Sequence, residues 1–323
     1  MEFFKHNKVY DFMKIANYGI VLSGILLIVS LVLFFKPGFT YGVDFAGGTI
    51  IQLKYTKEAP IAEIREKLNS VPEFEGAQVS EFGSKEEVLI KLSVTTSSVQ
   101  NSIKEQIEEL LAPTGEFQVR RDDVVGPKVG NELKEKGMMA LVLALLAILA
   151  YVGYRYEWRF AIASVLALVH DVVIAAGAII LFDIDLNLEV VAALLTLIGY
   201  SINDTIIVFD RIRETIGARS GQSLKFIINE ALSATLSRTV LTSVTVFFVV
   251  LTLYLFGGEI IVGFSLPMLV GSIVGSYSSI FIASKLVMFF GFDIKKYNEK
   301  IQMAEKKKLE KKRLREMYEK GRV

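Results

Sequence analysis

Asp204 interrupts the run GYSINDTIIVFDRIRE (199–214), whose first half is otherwise apolar enough to lie in a lipid bilayer. A carboxylate at the centre of a membrane helix costs about 2.5–3.5 kcal/mol on insertion scales. A group kept at that cost either pairs or titrates. Two other places repeat the pattern. His170 and Asp171 break the apolar segment 160–182, and Arg238 opens the string SRTVLTSVT at the head of another, 239–256. Thr242 and Thr245 follow Arg238 at i+4 and i+7, which places the guanidinium and two hydroxyls on one helix face. Ser201 lies at i−3 from Asp204, on its face, and Asn203 and Thr205 flank the acid. Such groups cannot all look at lipid, so they predict a polar interior or a wet cavity.

Two kinds of chemistry fit Asp204 and Arg238. One is a buried ion pair that holds helices in register. The other is a proton relay: a low dielectric favours the neutral acid, a guanidinium favours the carboxylate, and small movements switch between them. Arginine keeps its proton, so in a relay Arg238 is a fixed counter-charge. Intramembrane acids are functional by default, which favours the relay. Asp171 is a candidate on the same ground. His170 reads as a hydrogen-bonded packing residue, and Lys285 as a side chain that snorkels to the membrane surface. The chain has two histidines and no cysteine. With no nucleophile–base set and no metal-ligand cluster in the pattern, the sequence points away from an enzyme and calls for no metal or organic cofactor.

Membrane spans must position these residues, and a helical span takes about 20 mostly apolar residues. Six segments qualify: 18–35, 137–154, 160–182, 187–209, 239–256 and 262–290. The first lacks a small-x-small cleavage site and ends in FFKPG, which predicts a retained anchor. Positive charge gathers in every second loop: Arg155 and Arg159, then Arg211, Arg213, Arg219 and Lys225, then the tail from Lys295 to Arg322. The intervening loops carry DIDLN and Glu259. Both termini are therefore expected in the cytoplasm. The resulting partition is a cytoplasmic N-terminus at 1–17, an extracytoplasmic domain at 36–136, and five further spans over 137–290. Segment 210–238 within these is cytoplasmic, and a basic tail occupies 291–323. The tail suits a solvated helix better than a nucleic-acid site.

The extracytoplasmic segment alternates like a small α+β domain. TIIQLKY (49–55), 77–83, 88–94 and 116–125 have strand character, and 61–71 and 99–111 have helical spacing. The order β-α-β-β-α-β is that of a ferredoxin-like domain. GVDFAGGT (42–49) leads into it, with Gly42, Asp44, Gly47 and Gly48. It lacks the strand-then-helix setting of a nucleotide fingerprint, so the glycines predict a flexible or tight junction.

GVDFAGGT, the HD pair at 170–171, GYSINDTIIVFDRIRE and LSRTVLTS (236–243) together resemble the SecF branch of the SecD/SecF protein-export family. The resemblance runs over essentially the whole chain. It implies a half-transporter of the resistance-nodulation-division superfamily, six spans completed by six from SecD, in the bacterial cytoplasmic (inner) membrane. The implied partners are SecD, the SecYEG channel, translocating unfolded preprotein and the lipid bilayer. The implied work is proton-driven assistance to export, with the family's proton-conducting acid and arginine falling on Asp204 and Arg238. Two alternatives stay open: half of a proton-coupled small-molecule exporter, and a purely structural subunit in which Asp204 can be neutralised without loss.

Overall fold

The computed structural model describes residues 9–93, 100–219 and 221–319. Lys5 and Lys8, the ends of two predicted elements at Val94 and Val99, and Lys320 and Arg322 of the tail lie outside these residues.

Helix α1 (Phe12–Phe35) starts where the Asp11 side chain accepts the Lys14 N–H. A single turn, α2 (Val43–Ala46), leads into β1 (Gly48–Tyr55). There follow α3 (Ile61–Asn69), β2 (Gln78–Phe82), β3 (Ser84–Leu92), α4 (Gln100–Leu111) and β4 (Phe117–Val125). The sheet order is β2-β3-β1-β4, and all three pairings are antiparallel. This is the ferredoxin-like arrangement expected from the element order. Period-two alternation turns Ile51, Leu53 and Tyr55 of β1 inward, against Ile64 and Leu68 of α3 and Ile103 and Ile107 of α4.

Strand β4 passes almost directly into α5 (Pro127–Arg155), whose proline sits in the first turn, where a missing N–H does no harm. Next come α6 (Trp158–Leu181), α7 (Leu188–Ala218), α8 (Leu224–Phe256) and α9 (Glu259–Ser278). A π-turn at Ser279–Ala283 joins α9 to α10 (Ser284–Phe289), and α11 (Ile294–Glu319) carries the basic tail. Among the described residues, six helical segments are long and apolar enough to cross a membrane: α1, α5, α6, α7, α8, and α9 continued through α10. Of these, α6, α7 and α9 are the most buried and form the middle of the bundle.

Helices α7 and α8 extend well past the apolar spans. Ile212 and Ile216 of α7 and Ile227, Ile228 and Leu232 of α8 bury together with Met13, Phe160 and Phe209. Arg238 is therefore not at the head of its helix. It stands 14 residues in, about 21 Å along the axis from Leu224. The extension is not part of the apolar span, because that part of α8 carries polar side chains and buries its isoleucines against protein rather than lipid.

The domain is docked on the helices. Leu186 exchanges backbone hydrogen bonds with Thr40 and Gly42, and Asp44 accepts the Leu188 N–H at the start of α7. Arg65 of α3 reaches Glu259 at 3.3 Å, and Gln78 of β2 meets Asp185.

Candidate functional site

Asp204 is 1% exposed, in the middle of α7. Its Oδ2 faces Ser243 Oγ of α8 at 3.4 Å, but Ser243 has one proton and lies 2.7 Å from the Thr239 carbonyl. The shorter bond takes the proton. Among the described residues, Asp204 Oδ1, Thr239 Oγ1 and the Tyr200 hydroxyl are buried with no hydrogen-bond partner. Unpartnered buried polar atoms are rare. A set that includes a carboxyl is chemically complete only with water or with side chains from another protein.

Arg238 makes no ion pair with Asp204 within 4 Å among the described residues, though its charge is felt there, and it lies on the exposed face of α8 with Leu241, Thr245 and Phe248. The face that meets Asp204 is the neighbouring one, Thr239 and Ser243, rotated by about 100°. Thr242 spends its hydroxyl on the Arg238 and Thr239 carbonyls of its own helix. On α7, Thr205 is buried and bonds back to the Ser201 carbonyl at 3.5 Å. Asn203 points away from Asp204, on an exposed stripe with Ala192, Thr196 and Gly199.

Ser201 does not serve Asp204 as its i−3 spacing suggested. Its Oγ donates instead to Asp171 Oδ2 across the α6–α7 interface at 2.5 Å. Ser278 of α9 donates to the same oxygen at 2.8 Å, and His170 Nδ1 lies 2.8 Å from Asp171 Oδ1. On the far side of the ring, His170 Nε2 meets the Tyr277 hydroxyl at 3.2 Å, and Tyr277 meets Ser23 of α1. The helices come this close because α9 carries Gly275, where a Cβ would stand 3.2 Å from that of Ser201. His170 is thus a hydrogen-bonded residue between helices, and Asp171 the centre of a network spanning α1, α6, α7 and α9.

Ser243, Tyr277, Ser278 and Ser23 escape a reading of spacing alone. A signal was present in GSYSS (275–279), a dense run of hydroxyls inside an apolar segment. Serine is too common in membrane helices for that run to stand out without its partners.

At the junction, Gly42 gives its N–H to Leu186, and Asp44 caps α7 from outside the helix. Gly47 has φ +84°, and a Cβ on Gly48 would fall 2.2 Å from the Leu92 carbonyl oxygen. The pair forms a tight junction.

The sequence model of the family described as "Protein export membrane protein SecD/SecF, C-terminal" matches residues 106–293, and that of the "SecD/SecF GG Motif" matches residues 32–59. The protein translocase subunit SecF of Helicobacter pylori (strain ATCC 700392 / 26695) is 54% identical over 323 residues, covering 100% of both chains. That of Escherichia coli O157:H7 is 42% identical over 293 residues, covering 88% of each. Among solved structures, SecDF from Thermus thermophilus, a translocon-associated membrane protein, superposes with a TM-score of 0.76 at 34% identity. The match covers 88% of this chain and 39% of that longer one. SecDF in its super-membrane-facing form gives a TM-score of 0.68 over 93% of this chain and 40% of that one.

Proposed function

The chain belongs to the SecD/SecF family as a SecF protein, a multi-pass subunit of the bacterial inner membrane that pairs with SecD, and from that premise we propose that it couples proton entry to protein export. In this reading the pair works beside the SecYEG channel and helps draw unfolded preprotein outward. Both chain termini lie in the cytoplasm and the ferredoxin-like domain on the far side. The orientation rests on the arginines and lysines of the alternate loops.

The observation that carries the proton reading is Asp204: buried, on a central helix, with one oxygen unpartnered and a single long contact on the other. An ion pair kept for helix register predicts a close guanidinium, and Arg238 is turned to the outer face of its helix. That placement suits an arginine whose charge is felt at Asp204 and which closes to a direct pair only in the assembled complex or in one state of the cycle. It remains a fixed positive charge throughout, since it cannot release its proton. Asp171 belongs to the same polar interior, as the acceptor of a hydroxyl and imidazole network.

Asp204→Asn tests the reading, because it keeps shape and hydrogen bonding but removes titration. Abundance in the membrane and assembly with SecD are expected to be unchanged while proton-driven export is lost. Normal export by a normally assembled Asn variant ends the proposal and leaves a structural subunit. Loss of abundance by about the amount expected from breaking a buried pair, 3–5 kcal/mol, supports the register role instead.

A further inference from the structure

Tyr277 joins two parts of the polar interior. Its hydroxyl stands between His170 Nε2 and Ser23 of α1. The residue also lines a groove of about 300 Å³ between α8 and α9, whose walls are mostly apolar (Val244, Phe247, Ile273, Phe281) and which Ser243 and Ser276 also border. Ser243 is the residue that faces Asp204. One groove therefore borders the neighbour of Asp204 at one side and the neighbour of His170 at the other. The π-turn begins two residues after Tyr277, a local widening of the helix that is frequent beside functional groups.

The hydrogen bonds of the network have a direction. Ser201 and Ser278 donate to Asp171, and a carboxylate opposite Nδ1 fixes the ring proton on that nitrogen. Nε2 is left with its lone pair, aimed at Tyr277.

We propose that His170 is a second proton-accepting site, loaded through Tyr277, with Asp171 as the residue that orients the ring and holds the imidazolium. Tyr277 gives its hydroxyl proton to Nε2 as it takes one from a hydronium ion that reaches its other side and is left as water. No heavy-atom bond is made or broken, and the His170–Asp171 pair passes from one negative charge to none. With protons on both ring nitrogens, Nε2 no longer accepts. Tyr277 must then offer its oxygen to the ring and turn its O–H toward Ser23. The change is felt by α1, the helix that leads into the extracytoplasmic domain. This inference rests on the proton-coupled reading above.

The titratable groups facing the ring are few. Asp171 comes from its own helix and Tyr277 from α9, while α1 presents only the Ser23 hydroxyl. From α7 the contact is made by Ser201 to Asp171, with Asp204 one turn further on, about 4.5 Å of axial rise. Among the described contacts, α5, the π-turn and α10 place no charged group on the ring.

The test uses the SecD–SecF complex in inverted membrane vesicles, with proton-driven export measured from about pH 5.5 to 8.5, a range that brackets neutrality. His170→Gln keeps hydrogen bonding without titration, and Tyr277→Phe removes one hydroxyl and leaves the ring to pack. Both are expected to assemble, to lose most of the coupled export, and to flatten its pH dependence near neutrality. A merely structural role moves abundance and leaves the profile's shape alone. If His170→Gln fails to accumulate, Tyr277→Phe decides: wild-type export with a wild-type profile overturns the proposal. Asp204→Asn, run in parallel, separates the two ideas. Its normal export brings down the relay reading, whereas its failure beside unaffected profiles in the two network variants brings down this inference alone.

Discussion

Asp204 and Asp171 are the same residue type, only 1% and 0% exposed, and they are served in opposite ways. Asp171 collects two serine hydroxyls and an imidazole, and Asp204 has one oxygen alone and one contact at 3.4 Å. The contrast is measurable as stability. Ser201→Ala or Ser278→Ala removes a hydrogen bond to a charged group and is expected to lower the stability of the purified complex by about 1.5–3 kcal/mol. Ser243→Ala, at its longer distance, is expected to stay within about 0.5 kcal/mol. Thermal unfolding of the three variants checks the order, and equal losses refute it. A different carboxylate reports on pH. Asp11 is held below its ordinary value of 3.8, first by Lys225 and then by Asn229 of α8, which ties the start of α1 to that helix. A depressed acid stabilises fully above its unfolded value and loses that contribution as pH falls through the lower folded one. Hydrogen exchange around residues 10–16 is thus expected to rise only below about pH 4. A rise beginning near neutrality contradicts the assignment.

The helices and strands differ in how plainly they could be read, and the reason is which solvent each face meets. In the domain, water on one side and core on the other enforce alternation, so β1 and the two amphipathic helices stand out from TIIQLKY and the isoleucine spacings. In the bundle both lipid and core are apolar, so periodicity does not tell α6, at the centre, from α1, at the rim. Helix ends lie beyond the apolar spans for a related reason: the extensions of α7 and α8 bury isoleucine against protein under a polar outer face. The polar network was legible as residue types and not as partners, since Ser201 pairs across helices to Asp171 rather than along its own. The glycine pair at the junction could be read as hinge or lock, and only the neighbour decides. With the Leu92 carbonyl 2.2 Å from where a Cβ would stand, Gly48→Ala must shift β1 or β3. Overpacking of that kind is expected to destabilise the domain by about 1–3 kcal/mol. Limited proteolysis of β1–β3 in the Ala variant, faster than in the wild type, checks it, and an unchanged rate argues that the junction is loose.

At the scale of the whole chain, the outer surface of the bundle is not uniform. Helices α1 and α5 show lipid-like side chains such as Val32 and Leu146. On α7 the exposed stripe is small and polar, Ala192, Thr196, Gly199 and Asn203, and on α8 Arg238 and Thr245 stand exposed among Leu241, Phe248 and Val249. An arginine facing hydrocarbon is expensive by about 2.5–3.5 kcal/mol on insertion scales. Small residues meanwhile let two helix backbones approach closely. That cost vanishes if the α7–α8 face meets a polar face of SecD, which also brings a second protein to the unpartnered oxygen of Asp204. The chain has no cysteine, so a single introduced one is a unique probe. Asn203→Cys and Thr245→Cys are expected to cross-link to SecD in native membranes, while Val32→Cys and Leu146→Cys, exposed on the other helices, are not. Cross-linking from α1 or α5 with none from α7 or α8 would place the partner elsewhere and leave Arg238 unexplained.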